Sequence, residues 1–225
     1  MNHYLQIIRK LYNLSEDANQ GYTEEVLAAM EERLQIQLPS SLRQYYLTLG
    51  NNKVVNDTFN RLLTPADTGF TEDDYLVFYE ENQGVVLWGI KRTDLQQDNP
   101  PVYGTYNPAG QEWFLDAGTT ENFLLSMAYW NGALGGLPHT AFTEEEADLT
   151  AENIRIITDN WQELSGISHQ LLRFFTNREE EIIVCTTDEK RAINSIYVGT
   201  HDEAIFQAIM ERLPLEWMYR SDWDE

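Results

Sequence analysis

The sequence predicts an α+β fold, because segments with helical periodicity alternate with runs that are typical of β-hairpins. The helical segments place apolar residues every three or four positions, which gives each helix one face to bury. The hairpin segments are rich in aromatic and β-branched residues and are joined by short polar turns. With 225 residues, 42% of them hydrophobic and 12% aromatic, the chain can form one large domain or two small ones with a real core.

Three helices are predicted before residue 51. The first covers about 4–11, where tyrosine, isoleucine and leucine residues form one apolar stripe. The second follows Thr23, a suitable N-cap with two glutamates after it, and ends near Leu34. The third has Pro39 in its first turn and ends at Gly50, a common C-terminal cap.

A β-hairpin is predicted between residues 74 and 90, where YLVFYE and VVLWGI flank the turn-forming ENQG. After a Pro-Pro pair, VYGTY at 102–106 is predicted to be an edge strand, and residues 113–115 are predicted to form another. A helix is then predicted to begin at about Glu121 and to end in a glycine-rich segment.

The C-terminal part repeats this alternation. A helix is predicted at 153–164, followed by the strand-like runs LLRFF, EIIVCT and INSIYVG. A helix is predicted from Asp202, with Thr200 and Glu203 at the spacing of a capping box, and 215–219 is a candidate last strand.

Two domains are predicted, 1–142 with the N-terminal helix and 143–225 as a C-terminal α+β extension or second small domain. The boundary rests on the acidic segment TEEEADLTAEN at 143–153, which has few apolar residues. The runs LVFYEENQGVVLW and LRFFTNREEEIIVC also resemble each other. Duplication and two hairpins that obey the same turn rules both explain this likeness, and the second is the simpler explanation.

Charge limits the kinds of partner. The chain has 37 acidic and 15 basic residues, a formal net charge of -22. Such a charge repels nucleic acid and anionic lipid and attracts cationic surfaces. We therefore expect neither nucleic acid nor membrane as a partner, although ordinary solubility is an alternative use for the acidity.

No motif for catalysis, metal binding or nucleotide binding is found. GxSxG, HExxH, GxxxxGK[ST] and GxGxxG are absent, and the four histidines are isolated in the sequence. The single cysteine, Cys185, lies in an apolar strand-like run and is predicted to be a buried structural residue. We expect no catalytic residues, no metal site and no cofactor.

The expected location is the cytoplasm. The longest apolar run, at 123–130, has eight residues, far fewer than the roughly 18 needed to cross a bilayer. The first ten residues lack the basic and apolar parts of a secretory signal. A soluble cytoplasmic protein is predicted.

Two stretches resemble a known family: LAAMEERLQIQLPSSLRQYYLTLGN at 27–51 and DYLVFYEENQGVVLWGIKRTDLQQDNPPVYGTYN at 74–107. In their order, over about 22–134, they are similar to the SUKH superfamily, which includes bacterial Smi-Knr-like immunity proteins and a fungal cell-wall assembly regulator. The resemblance implies helices packed against a mixed, largely antiparallel sheet. It brings no catalytic residues.

The resemblance also implies a function, namely a non-enzymatic immunity protein that binds and neutralises a cognate bacterial toxin. A toxin with a basic surface, such as a nuclease or deaminase, would suit the acidity of this chain. The predicted contacts are surface carboxylates: Glu72, Asp73 and Asp74 before the first hairpin, Glu80 and Glu81 at its turn, and Glu144, Glu145 and Glu146 in the acidic connection. A regulatory scaffold like the fungal relative is the alternative function, and a hydrolase or transferase without a familiar motif is a third.

Overall fold

The computed structural model describes residues 3–15, 18–106, 112–144, 149–169, 171–188, 190 and 192–223. These residues form an α+β fold with seven α-helices and two antiparallel sheets, each with six strands. The chain divides into two compact units. Residues 17–127 are the central unit, and residues 1–16 together with 128–225 are the terminal unit.

The helices are α1 (His3–Leu11), α2 (Glu24–Leu34), α3 (Ser40–Thr48), α4 (Lys53–Asn56), α5 (Thr120–Asn131), α6 (Ala151–Asn160) and α7 (Glu203–Arg212). The strands are β1 (Arg61–Leu62), β2 (Gly69–Phe70), β3 (Tyr75–Glu80), β4 (Val86–Lys91), β5 (Val102–Tyr106), β6 (Phe114–Ala117), β7 (His139–Phe142), β8 (Gln162–Glu163), β9 (Leu172–Thr176), β10 (Glu181–Thr187), β11 (Ile193–Thr200) and β12 (Tyr219–Arg220). No helix in the described part of the chain is both long and apolar enough to cross a bilayer.

The helices of the central unit begin and end close to the predicted residues. Thr23 is the N-cap of α2, and Pro39 is the N-cap of α3 rather than part of its first turn. Gly50 follows α3 at a point where its backbone lies very close to Tyr46. A β-carbon at this position would lie 2.7 Å from the Tyr46 α-carbon, so only glycine fits. The helix stop predicted from the sequence is therefore also a packing requirement.

The central sheet has the order β1-β3-β4-β5-β6, with β2 also paired to β3. The predicted hairpin is confirmed as β3 and β4. The prediction of an edge strand at 102–106 is wrong, because β5 lies between β4 and β6, and β6 forms the edge. Aromatic rings join one face of this sheet to α5: Phe78, Tyr79 and Trp88 lie 5.6, 5.5 and 5.8 Å from the ring of Phe123.

The terminal sheet has the order β12-β7-β11-β10-β9-β8. Helix α6 begins after Thr150, which forms a capping box with Asn153, and it ends at Asn160, earlier than predicted, because the chain becomes extended at Trp161. Helix α7 also has a different cap from the one predicted. The Asp202 side chain accepts a hydrogen bond from the Ile205 amide, so Asp202 and not Thr200 is the N-cap.

The two units differ from the two predicted domains. Strand β7 pairs with β11 and β12, and therefore residues 139–142 belong to the terminal sheet. The N-terminal helix α1 also belongs to the terminal unit, and the boundary at residue 127 falls within α5. The acidic segment after residue 142 thus connects elements of one unit. An acidic composition predicts that a segment is exposed. Because connections within a domain and linkers between domains are both exposed, composition does not distinguish them.

Candidate functional site

The acidic segment before β3 has two uncompensated carboxylates. Glu72 and Asp73 are exposed, and neither side chain has an ion pair or hydrogen bond with a described residue. Asp74, at a positive φ of 62°, accepts a hydrogen bond of 2.8 Å from Arg92 Nε. The guanidinium of Arg92 also lies 3.6 Å from the centroid of the Phe70 ring. Arg92 is therefore already held, whereas Lys91, the cross-strand partner of Tyr75, is exposed, and Glu72 and Asp73 form no ion pair with either cation.

A group of aromatic side chains follows this segment directly. The Tyr75 ring stacks on Trp113 with centroids 3.9 Å apart and an angle of 9° between the planes. Tyr103 meets Tyr75 edge to face at 5.6 Å. Leu115, the cross-strand neighbour of Tyr103, is 61% exposed. These four residues, all on one face of the central sheet, are called the Tyr75 face below.

Carboxylates act electrostatically on the Tyr75 face. The pKa of Tyr75 is raised, first by burial and then by Tyr103 and the negative charges of Asp94 and Asp73. Two carboxylates thus lie within electrostatic reach of Tyr75. Aromatic faces attract cations, and the attraction increases when carboxylates stand beside them. The arrangement suits binding of a cationic protein surface.

Glu80 and Glu81, two of the predicted contacts, have partners within the fold. Glu80 forms an ion pair with Arg61 of β1. The Glu81 carboxylate accepts hydrogen bonds from the amides of Gln83 and Val85, at 2.8 and 3.2 Å, and so closes the turn of the hairpin. Like Asp74, these residues have a structural role that accounts for their charge.

A half-buried carboxylate lies on the opposite face of the central sheet. Burial raises the pKa of Asp116, in β6, to about 6, with the indole of Trp88 opposing the shift. The Trp88 nitrogen has no hydrogen bond of ordinary geometry within the described residues, so this opposition is weak. The ring of Phe114 covers the same place, where Gly104 leaves room for it. Asp116 was not singled out in the sequence, because its burial depends on the register of β6.

The acidic connection is described only in part. Glu144 is exposed and lines a pocket of the terminal unit with a volume of about 490 Å³. Glu145 and Glu146 lie outside the described residues. The pocket also includes residues 214–218, which overlap the segment 215–219 that was predicted to be the last strand. That prediction is wrong for most of the segment, because β12 begins only at Tyr219. The grouping of residues 214–218 with Glu144 follows from long-range pairing of β7 with β12, for which the sequence contains no signal.

Neither Cys185 nor His169 belongs to a group of three or more metal-binding side chains in the described residues. Cys185 is fully buried in β10, as predicted, and burial raises the pKa of its thiol to about 12. Burial lowers the pKa of His169. Within the described part of the chain, no group of three or more His, Cys, Asp or Glu side chains could hold a metal ion.

Sequence reasoning missed the aromatic members of the Tyr75 face. Tyr75, Tyr103 and Trp113 are separated by 28 and 10 positions, and they meet only because β3, β4, β5 and the segment before β6 are neighbours. Their residue types could have suggested a binding surface, since Tyr and Trp are frequent in interface centres. Their common face requires the strand register.

Comparisons of the chain with family models, with curated proteins and with solved structures gave no significant match.

Proposed function

We propose that this chain is a non-enzymatic immunity protein of the cytoplasm, which binds a cognate toxin with a basic surface and occludes its active or substrate site. The partner is a protein, and neither nucleic acid, membrane nor cofactor is part of the proposal. The resemblance of residues 22–134 to the SUKH superfamily supports the class of function.

The observation that carries the proposal is the position of Asp73, whose charge acts on Tyr75, beside the Tyr75 face, with Glu72 preceding it in the chain. Binding energy at protein interfaces is concentrated in a few residues, with Tyr and Trp enriched among them. The stacked Tyr75 and Trp113 rings are already ordered against each other, so little conformational entropy is lost when a partner covers them. Unpaired carboxylates at the rim then select a basic surface over an acidic one.

The net charge of -22 supports the same proposal through the rate of association. A field of this sign steers a basic partner toward the surface, and steering accelerates association by roughly 10- to 1000-fold at low salt. An inhibitor of a toxin benefits from fast capture, because each unbound toxin molecule continues to act.

We rank the predicted contacts by the partners that they have within the fold. Glu72 and Asp73 are uncompensated, whereas Asp74, Glu80 and Glu81 hold Arg92, Arg61 and the hairpin turn. We therefore expect the first two to affect association, and the other three to affect chiefly the stability of the fold.

The first experiment is co-expression of the chain with the products of neighbouring genes, one at a time. Rescue of growth from one toxic product supports immunity. Binding of several non-toxic partners instead favours the regulatory scaffold, and turnover of a substrate favours an enzyme.

The second experiment measures association with the partner so identified. The double variant Glu72→Lys, Asp73→Lys should slow association by about tenfold at low salt and flatten its salt dependence. The double variant Glu32→Lys, Asp57→Lys changes the net charge equally at two other exposed positions of the central unit, and serves as the matched control. Equal rates for the two double variants would show that charge alone acts and that the Tyr75 face is not the contact.

A further inference from the structure

The pocket of the terminal unit is a second candidate binding site, separate from the Tyr75 face. It lies between the end of β7, the start of α6 and the connection from α7 to β12. Its volume of about 490 Å³ is within the range of pockets that hold small molecules or inserted side chains. Leu149, Leu215, Trp217 and Met218 supply apolar lining. Met218 is 60% exposed, whereas the other three are half-buried and also pack against the hydrophobic core of the unit.

The charged groups of the lining all have one sign. Glu144 and Glu216 are exposed, and neither carboxylate has an ion pair or hydrogen bond with another described residue. No Lys or Arg lines the pocket among the described residues. The basic residues of α6 and β12 are held elsewhere, Arg155 by Glu152 and Arg220 by Asp222.

We propose that this pocket binds an arginine side chain presented by a protein partner. Three parts of the lining match three parts of that side chain. The leucines in the lining would contact its methylenes, the half-buried indole of Trp217 is the aromatic ring available for stacking of the flat guanidinium, and the two carboxylates would accept its N–H donors. The pocket thus combines the apolar and acidic groups that long cationic side chains need.

Arginine fits better than lysine for a geometric reason. The guanidinium is planar, stacks on aromatic rings and donates two parallel hydrogen bonds to one carboxylate, whereas the ammonium group of lysine is a compact and strongly hydrated point charge. A pocket with an indole and carboxylates therefore binds the planar guanidinium more tightly than the ammonium group. The proposal does not depend on the partner being a toxin.

The test is NMR on the full chain with ¹³C-methyl-labelled methionine, since only five methionines give signals and Met218 lies in the pocket. Three capped tripeptides serve as probes: glycine-arginine-glycine, its citrulline counterpart, which has the same shape without charge, and its lysine counterpart. The Met218 signal should shift saturably with the arginine peptide. The citrulline and lysine peptides should each bind at least about fivefold more weakly.

Two variants locate the contact. The double variant Glu144→Gln, Glu216→Gln should weaken binding of the arginine peptide by about fivefold or more, and raised salt should act in the same direction. Glu211→Gln, which removes an exposed carboxylate of the same unit outside the pocket, should leave binding unchanged. Unchanged signals from the methionines outside the pocket show that the fold of each variant is intact.

Three results would overturn the proposal. One is equal binding of the arginine and citrulline peptides, which would make the pocket an apolar site. Another is equal loss of binding in Glu211→Gln, which would make the effect one of net charge. The last is the absence of a shift at Met218 up to the solubility of the arginine peptide. None of these results bears on rescue by co-expression, so failure here is distinguishable from failure of the proposed function.

Discussion

Replacing Asp116 with asparagine should stabilise the protein increasingly as the pH rises from 5 to 7.5. Burial raises the pKa of this carboxyl from 3.8 to about 6. A carboxyl whose pKa is raised by folding stabilises the native state while it is protonated, and that contribution is lost as the pH rises through the folded pKa. The asparagine side chain has nearly the same shape and no charge to bury, so the stability of the variant does not decrease in this way as the pH rises.

The magnitude follows from the two pKa values. The interval between 3.8 and about 6, at 1.36 kcal/mol for each pKa unit, corresponds to about 3 kcal/mol over the full range of pH. Between pH 5 and pH 7.5 the linkage relation gives about 1.4 kcal/mol, because the unfolded carboxyl is already largely ionised at pH 5 and part of the loss has occurred by then. The difference in the free energy of unfolding, variant minus wild type, should increase by this amount.

Urea unfolding at several pH values, followed by tryptophan fluorescence, measures this difference. Trp88 and Trp113 lie in the central unit and the other four tryptophans in the terminal unit, so the two transitions are fitted separately where they do not coincide. Titration of every other group affects both proteins and cancels in the comparison. Gln96→Ala, which removes no titratable group at an exposed position of the same unit, is the control and should give a difference that does not change with pH. A pH-independent difference for Asp116→Asn, or one that decreases toward pH 7.5, would refute the burial of a carboxylate with raised pKa.

Other predictions concern close contacts and buried groups. Gly50→Ala should lower the free energy of unfolding by about 1–3 kcal/mol in a urea titration, because its methyl group would lie 2.7 Å from the backbone of Tyr46; unchanged stability would contradict that approach. The Cys185 thiol should not react with a disulfide reagent at pH 8 until urea unfolds the chain, since its pKa is about 12, and reaction in the native state at the unfolded rate would show exposure. Glu81→Ala should cost about 1 kcal/mol of stability by removing two turn hydrogen bonds and leave association with the partner unchanged, whereas Glu72→Ala should do the reverse.

Apart from the short α4, which was not predicted, the helices and the two hairpins were predictable because their signals are local. Apolar periodicity and caps predicted α2 and α3 to within one or two residues, and the polar turn between β3 and β4 predicted the first hairpin. The place of each strand in its sheet was not predictable. The Pro-Pro pair before β5 suggested an edge strand, yet β6 pairs with β5 on the side away from β4. β7 pairs with strands that begin more than 50 residues later in the chain.

The same limit applies to the candidate site. The sequence identified exposed carboxylates, and Glu72 and Asp73 are indeed exposed. It could not separate them from Glu81, because the amides that hold the Glu81 side chain become available only once the turn forms. Nor could it place Trp113 on Tyr75, since the rings meet across a sheet.

The likeness between the two hairpins extends beyond what turn rules require. In the central sheet, β1 pairs with the end of β3, and the Leu63 amide continues this pairing by donating to the Phe78 carbonyl. In the terminal sheet, β8 pairs with the end of β9, and the Leu164 amide donates to the Phe174 carbonyl. Phe78 and Phe174 are the first residues of the two aromatic pairs that look alike in the sequence.

Hairpin turn chemistry sets the register of two adjacent strands and nothing outside them. It does not require an earlier segment to join the outer side of the first strand, at the same position in both units, across intervening loops of different length. Two independent hairpins therefore account for only part of the correspondence. Exchanging residues 61–63 with residues 162–164 is a direct test of how far it goes. If the equivalent pairing carries the likeness, the exchanged segments should pair at the ends of β3 and β9, and the amides at positions 63 and 164 should still exchange slowly, whereas fast exchange at both positions would leave the turn rules as the whole explanation.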